Sequence, residues 1–285
     1  MKMAKIIDGK ALSEEIIAKT KVSAEEFEKK HSRKPSLAVV LVGDDEASKV
    51  YVGSKIKRAE TANIESIACF LPANTTQEVL EAKIKELNES DRIDGILVQL
   101  PLPKHLDEKK IVGMVRVDKD VDAFSNQHMG DILLGHDGLV SCTPAGIIEL
   151  IKSTGETIAG KNAVVVGRSN IVGKPVAMLL LNESATVTIC HSKTKDLAFH
   201  TKNADILVVS IGRKEFIHGK DIKKGAIVID VGINRHDGKL YGDVEFQSAE
   251  KVASHITPVP GGVGPMTIAM LMANTLKAAE IRVIK

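Results

Sequence analysis

The strongest constraint on the fold is a set of short runs that are apolar at every position rather than at alternate ones. They are LAVVLVG (37–43), GILVQL (95–100), NAVVVG (162–167), TVTIC (186–190), DILVVSIG (205–212) and GAIVIDVG (225–232). A strand with one wet face alternates apolar and polar residues, so runs of this kind predict strands buried on both faces. Helical patterns such as SKVYVGSKIKRAETAN, TQEVLEAKIKELNES, GKPVAMLLLNES and GPMTIAMLMANTLKAAE separate them. Strand–helix alternation predicts an α/β fold with parallel sheets. A chain of 285 residues exceeds what one core usually holds, so two domains are expected. The seam is placed near Ala123, inside a Gly-, Asp- and Asn-rich stretch with little periodicity, DKDVDAFSNQHMGDILLGHDGLVSCTP. The expected plan is an α/β domain over 1–123 and a Rossmann-like parallel-sheet dinucleotide-binding domain over 124–267. A cleft lies between them, and a last helix, 268–285, packs back on the first domain.

Composition narrows the partners. Lysine and arginine total 39 against 37 acids, a net charge of +2 that gives no electrostatic reason to expect nucleic acid or membrane. No apolar run approaches the ~18 residues a membrane helix needs. The start, MKMAKIIDGKALSEEI, does not read as an export signal. Cys69, Cys142 and Cys190 show no CxxC spacing and read as small buried hydrophobes in a reducing, cytoplasmic compartment. The nine histidines show neither HxxxH nor HExxH spacing, and no protein-bound metal is expected.

NAVVVGRSNIVGKPVAMLLL reads as strand, glycine turn and helix, with Gly167 ending the strand, Gly173 six residues on and Pro175 in the first helical turn. Such a turn aims backbone N–H groups and a helix N-terminus at a pyrophosphate. The glycines alone fit a plain strand–helix turn equally well. The next strand adds information, because an NAD site places an acid at its end whereas an NADP site places cations there. Here TVTIC runs into His191, Ser192 and Lys193, and Arg168 follows Gly167. Each cation alone reads as a solvated loop; together they favour NADP.

Tyr51 and Lys55 stand at i and i+4 and share one helix face. A solvated surface pair is the commoner fate of such residues. The tyrosine–lysine couple of short-chain dehydrogenases is excluded by order, since Tyr51 precedes Gly167 by 116 residues. Gln99 interrupts an apolar run, and a buried carboxamide without partners costs roughly 1–3 kcal/mol, so it must face something polar. Asp118, Asp120 and Asp122 alternate in VDKDVDAF. They suit a solvated turn, a cation loop lacking the EF-hand glutamate, or a carboxylate capping the edge of a bound heterocycle. Prolines and glycines crowd ITPVPGGVGPMT (256–267), giving either a tight interdomain turn or a stiff loop whose backbone approaches a ligand.

VYVGSKIK, VQLPLP, DKDVDAF, CTPAG, VVVGRSNIVGKP, CHSKT, VIDVGIN, GDV and ITPVPGGVGPMT occur in one order over nearly the whole chain. In this the sequence resembles the bifunctional methylenetetrahydrofolate dehydrogenase/methenyltetrahydrofolate cyclohydrolase family. The resemblance implies that Tyr51, Lys55, Gln99, Leu100 and Asp122 line a folate site. It implies that Thr143, Gly167, Arg168, Ser169, Gly173, Ser192 and Ile233 meet NADP, and that the loop of Pro260, Gly261 and Gly262 borders the pterin. It also implies a homodimer that acts on tetrahydrofolate one-carbon derivatives, serves purine, methionine and histidine biosynthesis and lacks a formyltetrahydrofolate ligase activity. Two positions depart from the family pattern: Ala123 stands where glycine is usual, and His128 where asparagine is frequent. If Ala123 takes a positive φ it is strained. Among the implied catalytic residues, Lys55 is the expected proton carrier for ring opening, with Gln99 facing it. A non-catalytic NADP-sensing module and an amino-acid or shikimate-type dehydrogenase are the competing readings.

Overall fold

In the computed structural model, which describes residues 3–284, the chain divides into two compact units. One comprises residues 14–131, 137–142 and 268–285, and the other residues 1–13, 132–136 and 143–267. Its strands in chain order are β1 (Lys5–Ile6), β2 (Ser36–Val42), β3 (Glu65–Leu71), β4 (Gly95–Val98), β5 (Asn162–Val166), β6 (Thr186–Cys190), β7 (Ile206–Val209), β8 (Ile227–Asp230), β9 (Asn234–His236), β10 (Lys239–Tyr241) and β11 (His255–Ile256). The expected span 1–123 differs from this division at both ends, since residues 124–131 and 137–142 also belong to the first unit. Residues 1–13 group with 143–267 because β1 pairs in parallel with β11.

The first unit is built on a three-stranded parallel sheet in the order β3-β2-β4. Its central strand, β2, is buried at all seven positions, and the reason is visible in its neighbours. Leu37, Val39 and Leu41 pack with Val52 and Ala59 of the helix Glu46–Thr61, and with Ala269, Leu271 and Met272 of the helix Val263–Ile284. Ala38, Val40 and Val42 face the other way, onto Leu80 and Ile84 of the helix Gln77–Glu89 and onto Ile111. With a core on each face every position from Leu37 to Val42 is apolar, and Ser36 alone, at the strand's start, is polar. Each leucine, valine, isoleucine or methionine among them contributes roughly 1.5–3 kcal/mol by leaving water. The edge strand β3, by contrast, opens on Glu65 and Ser66 and exposes Phe70, so its apolar run is shorter and reads less clearly as a strand. The run GILVQL is shorter than expected as a strand: β4 ends at Val98, and Gln99 lies just past it, with its N–H still donating to Val40 O at 2.9 Å.

Two contacts hold the segment 119–123 against β4, and two more tie it to the helices Gln77–Glu89 and Val263–Ile284. A Cβ on Gly95 would lie 2.6 Å from Val121 Cγ1, so glycine lets that segment approach, and Ile96 forms a parallel bridge with Asp120. Lys119 is fully buried and donates to Leu87 O, Asn88 O and Ser90 O at 2.7–3.0 Å. Those carbonyls terminate the helix Gln77–Glu89, where a cation is favoured by the helix dipole. Asn274 donates to Val121 O and Val140 O, both at 2.8 Å.

The second unit contains a six-stranded parallel sheet in the order β1-β11-β8-β7-β5-β6 and a small antiparallel pair, β9-β10. From β5 the chain goes to β6 on one side and then to β7 on the other, so the strand order reverses at β5. In open α/β sheets ligands bind outside the carboxyl ends of strands at such a reversal. No helix among the described residues is long and apolar enough to cross a membrane.

Candidate active site and cofactor pocket

In the first unit Asp45 caps the helix Glu46–Thr61, accepting from Ser48 N at 2.8 Å. Val52 and Ala59 anchor the buried face of that helix, which leaves Tyr51 and Lys55 together on another. Lys55 Nζ donates to Gln99 Oε1 at 2.9 Å. Gln99 Nε2 donates in turn to Leu100 O at 2.7 Å, so the oxygen end of the amide is the one that meets the amine. Gln99 therefore has the polar partner its position demanded. Leu100 follows, half-buried, at the cis Leu100–Pro101 bond. Tyr51 is 43% exposed, enough ring surface to meet a ligand.

Asp122 is half-buried, and burial pushes its carboxyl up to about 6. The positive charge of Lys55 opposes that rise and the neighbouring Asp120 adds to it. Asp120 is itself raised by burial, while its Oδ2 accepts from Ser125 N at 2.8 Å. Ala123 has φ +55°, the conformation in which glycine costs nothing, and its methyl group is fully buried. His128 is buried, with Nε2 at 2.9 Å from Val117 O.

In the second unit a cavity of about 490 Å³ opens at the carboxyl ends of β5, β6 and β7. Gly167 and Arg168 follow β5, Ser192 and Thr194 follow β6, and Ile211 and Arg213 follow β7. Gly167 has φ +131°, and a Cβ there would collide with Ser210 O; one on Gly173 would collide with Gly167 O. Both glycines are thus required for the turn to fold back on the sheet. Ser169 Oγ accepts from Val172 N and Gly173 N, both at 3.2 Å, which starts the helix Gly173–Asn182. No carboxylate lines the cavity, and two guanidiniums and several hydroxyls do. That chemistry fits a phosphorylated dinucleotide.

The remaining expected residues fall elsewhere. Lys193 is exposed and does not line the cavity, whose lining guanidiniums are those of Arg168 and Arg213. Thr143 Oγ1 lies 2.9 Å from Thr267 Oγ1, and Ile233 is 50% exposed; neither lines the cavity. In the Pro-Gly loop Pro260 is exposed and follows a cis bond, and Gly261 has φ +104°. Gly262 is packed so closely against Thr257 and Pro258 O that a Cβ would not fit.

Sequence reasoning missed a buried carboxyl that shapes this cavity. Asp243 accepts from Ile211 N at 2.6 Å, Gly212 N at 3.0 Å, Arg213 N at 2.8 Å and Asn234 Nδ2 at 2.9 Å. Asp230 holds Asp243 in place by accepting from its N–H at 2.8 Å, and burial pushes the Asp230 carboxyl up to about 7. The motif GDV contains Asp243, but contacts 30 residues apart leave no spacing to read.

A family model for the tetrahydrofolate dehydrogenase/cyclohydrolase catalytic domain matches residues 7–122, and one for the NAD(P)-binding domain of the same family matches residues 141–283. The chain belongs to the tetrahydrofolate dehydrogenase/cyclohydrolase family. It is 56% identical over 280 residues to the bifunctional protein FolD of Acetivibrio thermocellus, a match covering 98% of each chain. Among solved structures it resembles the bifunctional FolD methylenetetrahydrofolate dehydrogenase/cyclohydrolase of Campylobacter jejuni, at 47% identity and a TM-score of 0.95 over 98% of this chain and 99% of that one. It also resembles the Trypanosoma brucei methylenetetrahydrofolate dehydrogenase-cyclohydrolase, solved with NADP cofactor and inhibitor, at 38% identity and a TM-score of 0.95 over the full length of both. The residues of the family's motifs thus fall into two groups, Lys55–Gln99–Asp122 in one unit and the glycine turn with its guanidiniums in the other.

Proposed function

We propose that the chain oxidises 5,10-methylenetetrahydrofolate with NADP⁺ and hydrolyses the resulting 5,10-methenyl form to 10-formyltetrahydrofolate. Bound NADP⁺ supplies the acceptor for the hydride. No substrate proton leaves with that hydride, so oxidation needs orientation rather than a base, and a dehydrogenase without a catalytic histidine is chemically sufficient. Gly167, Arg168, Ser192 and the helix starting at Gly173 would hold the cofactor.

Ring opening is different because it moves protons. Water adds to the methenyl carbon and loses one proton; the bond from that carbon to N5 breaks as N5 takes up a proton and the new hydroxyl gives up its own to become the formyl C=O; one proton is released in all. The Lys55–Gln99 hydrogen bond is the observation that carries this half of the reading. A carboxamide acceptor orients the amine without adding a negative charge that would keep the proton on it. The cationic methenyl substrate beside Lys55 would itself favour the neutral amine, and general acid–base catalysis by such a group is worth about 10²–10⁴-fold. Asp122 would accept from the pterin's amino edge, and Tyr51 would pack on the ring. The Pro260–Gly262 backbone would border it.

A pure NADP sensor has no use for Lys55 or Gln99. An amino-acid or shikimate-type dehydrogenase is disfavoured by 56% identity to a FolD protein along almost the whole chain. The proposal includes a cytoplasmic homodimer whose products feed purine, methionine and histidine biosynthesis. Mixing the purified chain with methylenetetrahydrofolate and NADP⁺ tests the activities. Methenyl absorbance should rise and then decay to the formyl product, faster with NADP⁺ than with NAD⁺; absence of any methenyl signal would overturn the reading.

A further inference from the structure

The cofactor cavity contains a second guanidinium, Arg213, from the turn after β7. It follows the strand next to β5 in the sheet, and three observations fix what it can do. First, its guanidinium carbon stands 4.2 Å from the centroid of the Phe216 ring, so the ring supports the charge from one side. Second, its backbone N–H is pinned on Asp243 at 2.8 Å, together with those of Ile211 and Gly212, which makes the turn stiff. Third, among the described residues no carboxylate pairs with Arg213 or with Arg168, and none lines the cavity they share. An exposed arginine kept in place by an aromatic ring and left without an anion is set up to receive one.

Two parts of the cofactor could take this contact: the adenine ring, by stacking, or the ribose 2′-phosphate, by charge. Phe216 already occupies one face of the guanidinium, while the planar edge with its N–H fork is unpaired. Ser192 and Thr194 supply hydroxyl donors to the same cavity, and a phosphate accepts from all of these where a bare ribose hydroxyl does not. We infer that Arg213 is a specificity-determining residue, a second cation beside Arg168 for the 2′-phosphate of NADP. This rests on the reading of the cavity as the adenosine end of the NADP site.

The test compares binding of 2′,5′-ADP and 5′-AMP to the full chain by calorimetry, and KM for NADP⁺ and NAD⁺ in the dehydrogenase assay. Arg213→Gln should weaken 2′,5′-ADP and raise KM for NADP⁺ by about tenfold or more, the loss expected for a charge-assisted contact. Binding of 5′-AMP and KM for NAD⁺ should change less than about twofold, and Arg213→Lys, which keeps the charge, should retain most of the preference. Equal weakening of both nucleotides in Arg213→Gln would show stacking and overturn the inference. So would an unchanged preference for 2′,5′-ADP. If the parent chain itself fails to prefer 2′,5′-ADP over 5′-AMP, the reading of the cavity falls, and the role of Arg213 with it.

Discussion

Replacing one atom group at position 99 should separate the two activities. In Gln99→Glu a carboxylate would face Lys55 Nζ where an amide oxygen now accepts at 2.9 Å, holding the proton on the amine more tightly. Cyclohydrolase activity should fall about tenfold or more at neutral pH and recover partly as pH rises, while hydride transfer changes less. Parallel pH–rate profiles for the variant and the parent would remove Gln99 from the mechanism. Asp122 makes a second residue-level case. Its carboxyl titrates near 6, against about 4 in an unfolded chain, so folding is penalised progressively as pH rises from about 4 to 6 and by a constant amount above. Asp122→Asn should therefore gain stability relative to the parent at pH 7 in urea unfolding, and lose that advantage at pH 4. It should also bind the folate more weakly. The pair Lys55–Gln99 was legible because an amide inside an apolar run demands a partner. The strain at Ala123 was legible as a conditional, and its φ of +55° fulfils the condition. An αL alanine costs about 1–2 kcal/mol, but its buried methyl returns about 0.8 kcal/mol, so Ala123→Gly should shift stability by less than about 1 kcal/mol in the same urea assay.

At the scale of single elements, the buried strands announced themselves because β2, β5, β7 and β8 are apolar through their middles and carry polar residues only at an end, Ser36, Asn162 and Asp230. β3 did not, since its edge position admits Glu65 and Ser66 and shortens its apolar run, and the two-residue strands β1 and β11 carry too few residues to show any period. The glycine turn was readable at Gly167 and Gly173, yet the loop after the neighbouring strand β7 was not. Residues 211–213 take their shape from Asp243, about 30 residues on, through three backbone N–H groups. Asp243→Asn replaces a full acceptor with a half-donor, so at least one of those N–H groups loses its partner. KM for NADP⁺ should rise about tenfold, while ring opening of supplied methenyltetrahydrofolate, which uses no cofactor, stays within about twofold. Steady-state kinetics on the two substrates separately would decide it. Lys119 was equally silent: read as one charge in DKDVDAF, it is a buried cap on the helix Gln77–Glu89 that fixes the segment bearing Asp122. Lys119→Met leaves three carbonyls without that donor and should destabilise the chain by about 2–4 kcal/mol in urea unfolding.

For the whole molecule, strand patterning and length led to two α/β units, and the ordered motifs led to the family that the matched domain models show. What patterning could not give is the path between units. The chain enters each of them more than once, because β1 and the helix Val263–Ile284 satisfy contacts far away in sequence. In the proposed mechanism Lys55 carries the protons of ring opening, while hydride transfer needs only orientation. Lys55→Met removes the amine and keeps a chain of similar volume. Assayed separately, formation of 10-formyltetrahydrofolate from the methenyl substrate should drop by about 100-fold or more, and reduction of NADP⁺ should persist at about a tenth of the parent rate or better. Formyl product made at the parent rate by this variant would contradict the account.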